Sequence, residues 1–291
     1  MFSTNINTDL QAGYDEAYNL AKMHYENFPV VSMLLPFKIR QDVAIIYWFA
    51  RTADDYSDEG GFEASERLKK LSAFEERFKS LLNNEPGNTL EEALKNTIIS
   101  KNLSHTNFFN LLKAFKQDVS KNRYSTFHEV EDYCSCSANP VGRILLELID
   151  IWDDRAFYLS DKICTALQLT NFIQDTAIDF RKGRIYYPKD EMEKFGVSEK
   201  MFEMNENNLN LKQLVEFSVN RIQNFYNEGK GLFEFLSGRF KYEISWTIKG
   251  GEEILNKIRG ADFDVFTRRP VLTGTDRIKI LFKLFFSRCM I

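Results

Sequence analysis

Apolar residues recur at three- and four-residue steps along most of the chain, which places them on one face of an α-helix. No alternating strand pattern of any length, no internal repeat and no low-complexity linker interrupts this spacing. We therefore predict an all-α protein in which residues 1–291 form a single domain of about ten or more helices. The most regular stretches predict helices over 36–57, 64–82, 104–119, 142–152, 155–180, 208–236 and 241–258.

Proline and glycine indicate where several of these helices begin and end. Pro36 can occupy the first turn of the second helix, and the pair Gly60-Gly61 can end it. Asn139-Pro140 should break or kink the chain between two helices, because proline disfavours helical backbone in the residue before it. A turn is also predicted at 83–89, and the stretch that starts at Tyr186 predicts a loop that enters a short helix.

Composition is that of an ordinary globular protein, with 44% hydrophobic and 27% charged residues. The net charge of -4 gives no electrostatic support for a nucleic-acid partner. The count of 26 phenylalanines is high, and the favoured interpretation is a well-filled core. The alternative is that some of them line a cavity for an apolar or cationic guest.

The cysteines, the first residues and the hydropathy of the chain lead us to expect a cytoplasmic protein. None of its four cysteines forms a C-x-x-C pair, which favours a reduced, cytoplasmic location. The first residues lack a basic and an apolar region, so we expect no signal peptide. No run of about 18 apolar residues occurs, so we expect no transmembrane helix. The tail 276–291 is basic and amphipathic; we expect a final packed helix, with peripheral membrane contact as the alternative.

A first acidic cluster lies at the C-terminal end of the predicted helix 36–57, where four carboxylates occupy six positions. This end of a helix already carries partial negative charge. Asp54 and Asp58 share one helical face, about 6 Å apart along the axis, and therefore repel each other. A bound divalent cation would remove both the repulsion between the carboxylates and their unfavourable interaction with the helix end. The alternative interpretation is a solvated acidic helix end.

A second acidic cluster follows within 155–180. Asn171, Asp175 and Asp179 are spaced four residues apart and form a polar stripe among apolar neighbours. A polar stripe on an apolar helix indicates a polar ligand. Oxygen donors without cysteine or histidine suit a hard cation, most simply Mg²⁺, which usually shares the oxygens of substrate phosphates.

Basic residues accompany both clusters. Arg51 lies one turn before Asp54, and Arg181, Lys182 and Arg184 follow Asp179. Carboxylates for Mg²⁺ together with arginines for phosphate oxygens predict a diphosphate site. Because no P-loop and no G-x-G-x-x-G motif occurs, a nucleotide ligand is not indicated.

The two acidic motifs, in "YWFARTADDYSDE" and "NFIQDTAIDF", resemble those of the trans-isoprenyl diphosphate synthases of the squalene/phytoene synthase family. The resemblance covers nearly the whole chain, and the pair of motifs about 120 residues apart is highly specific. It implies a helical bundle around a central cavity with two facing Asp-rich motifs. The segment "HYENFPVVSMLLP" further resembles the HpnC-type hydroxysqualene synthase branch of hopanoid gene clusters.

In that branch, the resemblance implies conversion of presqualene diphosphate and water to hydroxysqualene and diphosphate. It implies two or three Mg²⁺ ions and no NADPH, with a companion synthase that makes the substrate and a flavin reductase that completes squalene. Mg²⁺ lets diphosphate leave as an anion, and a dry aromatic wall protects the remaining carbocation from water.

The resemblance also assigns roles residue by residue. Tyr47 and Arg51 match a Tyr-x-x-x-Arg pair near the diphosphate, and Tyr133 matches a tyrosine over the reacting carbons. Gln168 matches a polar cavity residue, and His24 matches a histidine that relatives place beside a diphosphate-binding segment. The implied metal ligands are Asp54, Asp58, Asn171, Asp175 and Asp179; the implied catalytic residues are Asp54, Asp58, Asp175, Asp179 and Tyr133; and the substrate-binding set is His24, Tyr47, Arg51, Gln168, Asn171, Arg181 and Arg184.

The sequence leaves two alternative functions open. A head-to-head condensing enzyme, which joins two farnesyl or geranylgeranyl diphosphates to squalene, dehydrosqualene or phytoene, would use the same metal site. A non-catalytic helical assembly protein is the alternative from another class. Because such relatives usually lose one acidic motif and both are intact here, the sequence favours an enzyme.

Overall fold

The computed structural model is helical wherever it has regular secondary structure among the residues described. These residues are 3–23, 35–58, 61–205, 207–267, 269–276 and 279–280. They divide into two compact units, the first from Met1–Ser120 and Pro140–Asp153, the second from Lys121–Asn139 and Asp154–Ile291. The predicted all-α class is confirmed. The single domain stays a prediction.

The helices of the described residues, in chain order, are α1 (Ser3–Met23), α2 (Arg40–Asp58), α3 (Ala64–Leu82), α4 (Thr89–Ser100), α5 (His105–Ser120), α6 (Phe127–Ser137), α7 (Asn139–Leu148), α8 (Asp154–Gln174), α9 (Thr176–Arg181), α10 (Lys189–Lys194), α11 (Glu199–Glu203), α12 (Leu209–Gly229) and α13 (Gly238–Gly260). Single 3₁₀ turns lie at Phe37–Ile39 and Lys230–Glu234. None of the helices described is long and apolar enough to cross a membrane.

In the first unit, α1 packs against α2 and α4, and α2 also packs against α3 and α5. The buried face of α1 is made of Gly13, Tyr14, Ala17 and Ala21. A Cβ on Gly13 would lie 2.1 Å from the carbonyl oxygen of Thr89, so only glycine allows α1 to approach α4 this closely. These small side chains give a weak apolar period, which explains why the sequence did not predict α1.

The core of the first unit is rich in phenylalanine. The rings of Phe49, Phe78 and Phe108 are fully buried, and their centroids lie 5.0 to 5.4 Å apart in tilted and edge-on pairs. Such pairs are more stable than face-to-face stacks because the ring edge is positive and the ring face negative. These three phenylalanines help to fill the core of the first unit.

In the second unit, α8 packs against α6, α12 and α13. Glycines permit two close helix approaches. A Cβ on Gly229 would lie 2.6 Å from the Ile163 side chain, and one on Gly251 would lie 2.0 Å from the hydroxyl of Tyr226. That buried hydroxyl lies 3.0 Å from Thr170 Oγ1 on α8, so a polar contact is satisfied inside the helix bundle.

The predicted helix over 155–180 is interrupted at Asp175, which has φ -101° and ψ 12°. The hydroxyl oxygen of Thr176 lies 3.2 Å from the carbonyl oxygen of Phe172 and 2.9 Å from that of Ile173. Side-chain bonds of this kind compete with the backbone ladder and bend helices. The second acidic cluster therefore lies on both sides of a helix break that the apolar period did not indicate.

Most other boundaries agree with the predictions within a few residues. Two differ more: the helix predicted over 208–236 ends at Gly229 and is followed by the 3₁₀ turn Lys230–Glu234, and the helix predicted over 142–152, α7, begins at Asn139 and ends at Leu148. Pro140 fits its first turn, where a backbone N–H is not needed. The helix ends early because Asp150 adopts a positive φ of 61°.

Candidate active site

Within α2, Arg51 contacts two carboxylates of the first acidic cluster. The guanidinium of Arg51 lies 3.2 Å from Asp54 Oδ2 and 2.7 Å from Asp55 Oδ1. Both carboxylates lie about one turn beyond Arg51, so the ordinary helical spacing brings all three together. The repulsion expected from the sequence is thus reduced by a cation of the protein itself.

Two carbonyl groups near the end of α2 also accept hydrogen bonds from side chains. Ser57 Oγ donates to the carbonyl of Asp54 at 2.8 Å, and Arg67 Nη1 of α3 donates to the carbonyl of Ser57 at 3.2 Å. A cation at a helix C-terminus offsets its partial negative charge. With these contacts in place, the side chain of Asp54 remains 44% exposed and accessible to a dissolved ion.

Tyr47 lies one turn before Arg51 and is half-buried. Burial raises the pKa of its hydroxyl, Asp54 and Asp55 raise it further, and Arg51 opposes them. The hydroxyl therefore stays protonated at neutral pH and can donate a hydrogen bond to an anion.

The residues of the second acidic cluster, Asn171, Asp175 and Asp179, still follow one another at one-turn steps although the helix breaks at Asp175. The backbone N–H of Asp175 donates to the carbonyl of Asn171, and that of Asp179 donates to the carbonyl of Asp175, both at 2.8 Å. These bonds place the three residues on successive turns. Asn171 is exposed, whereas Asp175 and Asp179 are half-buried. The predicted stripe is therefore present in the fold.

Asp175 has a partner that the sequence analysis missed. Arg269 binds both of its carboxylate oxygens, Nε to Oδ1 and Nη2 to Oδ2, the latter at 3.1 Å. Next to it, Gln174 Nε2 donates to the carbonyl of Pro270 at 2.6 Å. Arg269 is 94 positions from Asp175, so no local spacing could have indicated the pair.

The basic segment after Asp179 folds back onto it. The backbone N–H groups of Lys182 and Arg184 donate to the carbonyl of Asp179 at 3.0 and 2.8 Å. Gly183 between them has φ +78°, which glycine adopts without strain. Arg184 is half-buried and Arg181 exposed.

Arg123, which the sequence analysis also missed, holds this loop in place. Its Nη1 donates to the carbonyl of Gly183 at 2.6 Å, and its Nε and Nη2 donate to Glu199 at 2.9 and 2.8 Å. The backbone N–H of Ile185 also donates to the carbonyl of Asn122 at 3.1 Å. The conformation of the basic loop thus depends on residues far away in the sequence.

An aromatic group borders the second cluster. The rings of Phe172 and Tyr186 stack with centroids 3.6 Å apart, and the ring of Tyr133 lies 6.0 Å from Phe172 and 6.3 Å from Tyr186. Tyr133 is only 5% exposed. Because Phe172 follows Asn171 and Tyr186 follows the basic loop, the same segments carry the acidic, basic and aromatic side chains. Gln168, one turn before Asn171, is half-buried.

A cavity in the second unit adjoins this aromatic group, because Phe172 and Tyr186 belong to its lining. It measures about 30 Å³, which is room for about one water, and is too small for an organic ligand. Its lining includes Phe127, Val130, Leu169, Ser218 and Ile222.

The predicted site residues therefore fall into two groups. Tyr47, Arg51, Asp54 and Asp58 lie in the first unit, and Tyr133, Gln168, Asn171, Asp175, Asp179, Arg181 and Arg184 lie in the second. His24 lies outside the described residues, as does most of the segment "HYENFPVVSMLLP". That the two acidic motifs face one another across a cavity stays a prediction.

The donor chemistry fits Mg²⁺. Both clusters offer oxygen donors only, and in each a carboxylate already binds a guanidinium cation. Within the part of the chain that the structure describes, no group of three or more carboxylate, imidazole or thiolate side chains could hold a metal ion alone. Mg²⁺ sites with one or two carboxylates, completed by water and substrate phosphates, need no larger group.

Comparison with known proteins identifies the class. The squalene/phytoene synthase family matches residues 21–276, and the chain belongs to this family of isoprenoid-synthase enzymes. Its members use prenyl diphosphates and generally depend on Mg²⁺. The family and enzyme class that the two acidic motifs predicted are confirmed.

Particular relatives lie on two branches. A hydroxysqualene synthase of Zymomonas mobilis is 33% identical over 213 residues, covering 71% of this chain and 69% of the relative. A phytoene synthase of Arthrospira platensis is 26% identical over 269 residues, covering 88% and 87%. The crystal structure of squalene synthase HpnC from Alicyclobacillus acidocaldarius is 33% identical, with a TM-score of 0.84, and covers 88% of this chain and 97% of that one.

Proposed function

We propose that this protein is a Mg²⁺-dependent enzyme that converts presqualene diphosphate and water to hydroxysqualene and diphosphate. The observation that carries the proposal is the second acidic cluster, where an Asn-Asp-Asp stripe, a basic loop and a buried aromatic group share two short segments. The relatives support the choice of branch, since identity is 33% to a hydroxysqualene synthase and 26% to a phytoene synthase.

The polar residues act on the diphosphate. Asp54 and Asp58 in one set, and Asn171, Asp175 and Asp179 in the other, would hold two or three Mg²⁺ ions, which neutralise the leaving diphosphate. Arg51 and Tyr47 donate hydrogen bonds to its oxygens, and Arg181 and Arg184 add positive charge. His24 would add a donor beside them. Departure of diphosphate with the bonding electron pair leaves a carbocation.

The aromatic residues act on that carbocation. The face of a tyrosine or phenylalanine ring attracts a cation, and burial excludes water that would end the reaction early. Tyr133 is buried against Phe172 and Tyr186, which suits this role. The water that forms the alcohol needs polar partners. Tyr133, Gln168 and Asn171 are the candidates.

A second candidate function is head-to-head condensation of two prenyl diphosphates, which the phytoene synthase relative favours. A product assay separates the two. Purified protein, Mg²⁺ and presqualene diphosphate, without NADPH, should give hydroxysqualene whose alcohol oxygen comes from labelled solvent water. Farnesyl diphosphate alone should give little C30 product. Efficient conversion of farnesyl diphosphate to squalene or dehydrosqualene would establish condensation instead.

The metal role has its own test. Asp54→Ala and Asp175→Ala should each lower kcat at least about 100-fold, because each removes a carboxylate that neutralises the leaving group. Helicity by circular dichroism should be unchanged. Turnover within a few-fold of wild type in either variant would remove that aspartate from the metal site.

The cellular context also belongs to the proposal. We expect the enzyme in the cytoplasm, coupled to a synthase that supplies presqualene diphosphate and to a flavin reductase that removes the hydroxyl group. Contact with a membrane surface would suit a C30 substrate and product. The basic tail that would mediate it lies mostly outside the described residues.

A further inference from the structure

The basic loop, residues 182–184, contains one peptide group that is held at both of its hydrogen-bonding atoms. The backbone N–H of Arg184 donates to the carbonyl of Asp179 in the second acidic cluster at 2.8 Å. The carbonyl of the same peptide group, which belongs to Gly183, accepts a hydrogen bond from Arg123 Nη1 at 2.6 Å. Because a peptide group is planar, holding its N–H and its carbonyl fixes its orientation, and with it the position from which the side chain of Arg184 begins.

The guanidinium of Arg123 is itself held in place by its partners. Its Nε and Nη2 donate to the two carboxylate oxygens of Glu199 on α11 at 2.9 and 2.8 Å, and its Nη1 also donates to the carbonyl of Asn122 at 2.8 Å. The hydrogen bonds from Arg123 lower the pKa of Glu199, so this carboxylate is charged at neutral pH. A contact with two parallel bonds is stronger and more directional than a single ion pair. Glu199 therefore aims the guanidinium at the basic loop.

The backbone around Arg123 is joined to the segment that follows the basic loop. The backbone N–H of Ile185 donates to the carbonyl of Asn122 at 3.1 Å, and that of Lys189 donates to the carbonyl of Tyr124 at 2.9 Å. These contacts use backbone atoms and do not depend on the side chain of Arg123. Shortening that side chain should therefore loosen the basic loop without unfolding the segments on either side of it.

We propose that Arg123 is a positioning residue for diphosphate binding: through the carbonyl of Gly183 it fixes the peptide group that presents Arg184 to the diphosphate. It acts through Arg184, and Glu199 supports it. A loop that is already ordered before the ligand arrives does not have to be ordered on binding, so the affinity is higher. The inference rests on the proposed function in taking Arg184 as a diphosphate-binding residue.

Amide hydrogen exchange of the ligand-free protein tests the positioning itself. In Arg123→Gln, the amides of Arg184 and Ile185 should exchange at least about threefold faster than in wild type, because the peptide group between Gly183 and Arg184 is then held at one atom only. Peptides of α12 should exchange as in wild type, which would show that the loosening is local and that the fold is intact.

Binding of inorganic diphosphate with saturating Mg²⁺, measured by isothermal titration calorimetry, tests the consequence. Arg123→Gln should weaken diphosphate binding at least about threefold, the scale of one lost charge-assisted hydrogen bond. In an Arg184→Gln background, the same change should have no further effect, because its influence passes through Arg184. Arg123→Lys, which can still donate to the carbonyl of Gly183, should recover part of the affinity.

Two variants separate positioning from charge. Glu199→Ala removes a negative charge, so a purely electrostatic effect would strengthen diphosphate binding. Loss of the support for Arg123 should instead weaken it at least about twofold. Arg155→Gln makes the same charge change as Arg123→Gln on the same unit, in a pair with Glu234 at 3.4 Å. This control should bind diphosphate as wild type does.

The exchange and binding results decide the inference separately from the reaction. Unchanged exchange at Arg184 in Arg123→Gln would overturn it. So would tighter diphosphate binding by Glu199→Ala, an equal loss in Arg155→Gln, or additive losses in the Arg123→Gln/Arg184→Gln double variant, since Arg123 would then act by its charge. Wild-type affinity in Arg184→Gln would overturn the inference together with the diphosphate role of Arg184. The predicted results in a protein that fails to convert presqualene diphosphate would support the inference and reject the reaction.

Discussion

Arg51 serves both the helix that carries it and the proposed chemistry. Its guanidinium is 20% exposed and contacts Asp54 and Asp55 at the same time, which reduces the repulsion within the first acidic cluster. The planar fork makes this possible, because its two Nη groups point in different fixed directions, Nη1 toward Asp54 and Nη2 toward Asp55. The same fork suits two oxygens of a diphosphate.

Arg51→Lys should therefore impair the enzyme although charge is conserved. We expect kcat/KM for presqualene diphosphate to fall by at least about tenfold, because an ammonium group cannot reproduce the two-donor contact. Stability should change by less than about 1 kcal/mol, since both partner carboxylates are 40% or more exposed. Kinetics near those of wild type would leave Arg51 as a salt-bridge partner only.

Asp42 is a buried carboxylate in the first turn of α2, about three turns before the first acidic cluster. Thr97 Oγ1 donates to it at 3.0 Å, and the hydroxyl of Tyr14 lies 2.8 Å from the same Thr97 oxygen. These contacts join α1, α2 and α4. Burial raises the pKa of Asp42 above its ordinary value of 3.8, although Thr97 and, at 4.0 Å, Lys101 act in the opposite direction.

This raised pKa predicts how stability depends on pH. The folded protein holds the Asp42 proton more tightly than the unfolded chain, so this contribution is fully present below pH 3.8 and is lost as pH rises through the higher folded value. Asp42→Asn keeps an acceptor for Thr97 and does not titrate. The free energy of unfolding of wild type minus that of Asp42→Asn should therefore decrease between about pH 4 and pH 7. Urea unfolding at both pH values measures this difference. A difference that stays constant or increases with pH would contradict the raised pKa of Asp42.

At the scale of elements, glycines decide how closely the helices of the second unit approach. Gly251 of α13 lies against Tyr226 of α12, whose hydroxyl reaches Thr170 of α8. A side chain at position 251 would meet the buried phenol, which cannot move without losing its hydrogen bond. One glycine thus permits contacts among three helices.

Gly251→Ala should destabilise the protein by about 1 to 3 kcal/mol, because an added methyl group in a packed interior forces its neighbours to shift. Gly260→Ala in the same helix is the matched control, since a Cβ there meets nothing within 4 Å. The control should be neutral or more stable by up to about 1 kcal/mol. Unfolding midpoints measure both, and equal effects would show that helix propensity and not packing controls position 251.

At the scale of the whole molecule, both acidic clusters should respond to one ligand pair. Mg²⁺ with inorganic diphosphate should raise the unfolding temperature, because a ligand that binds only the folded state stabilises it by mass action. At a ligand concentration of about 100 times Kd, the free energy of unfolding rises by about 2.7 kcal/mol. This corresponds to an increase in unfolding temperature of roughly 5 to 10 °C.

The controls make this shift specific. Mg²⁺ with sulfate at equal ionic strength should give a smaller shift, and Asp175→Ala and Asp54→Ala should each lose most of the shift seen with diphosphate. An unchanged shift in either variant would contradict a binding role for that cluster. No shift in wild type would favour the non-catalytic alternative.

Helical periodicity predicted most of the helices in both units because their buried faces carry large apolar side chains at three- and four-residue steps. It failed where that signal was weak. The buried face of α1 is made of glycine, alanine and one tyrosine, and the break at Asp175 depends on the hydroxyl of Thr176. Neither a small-residue face nor a side chain that competes for backbone carbonyls changes the apolar period.

The sequence by itself determined the helical class, the two acidic motifs and the family, because all three depend on residue type and on spacings of a few positions. Only the tertiary structure decided which cations meet those carboxylates. Arg269 binds Asp175 across 94 positions, and Arg123 holds the carbonyl of Gly183 across 60. The reason is physical: helical spacing relates residues three or four apart, whereas contacts between distant segments depend on how the chain packs.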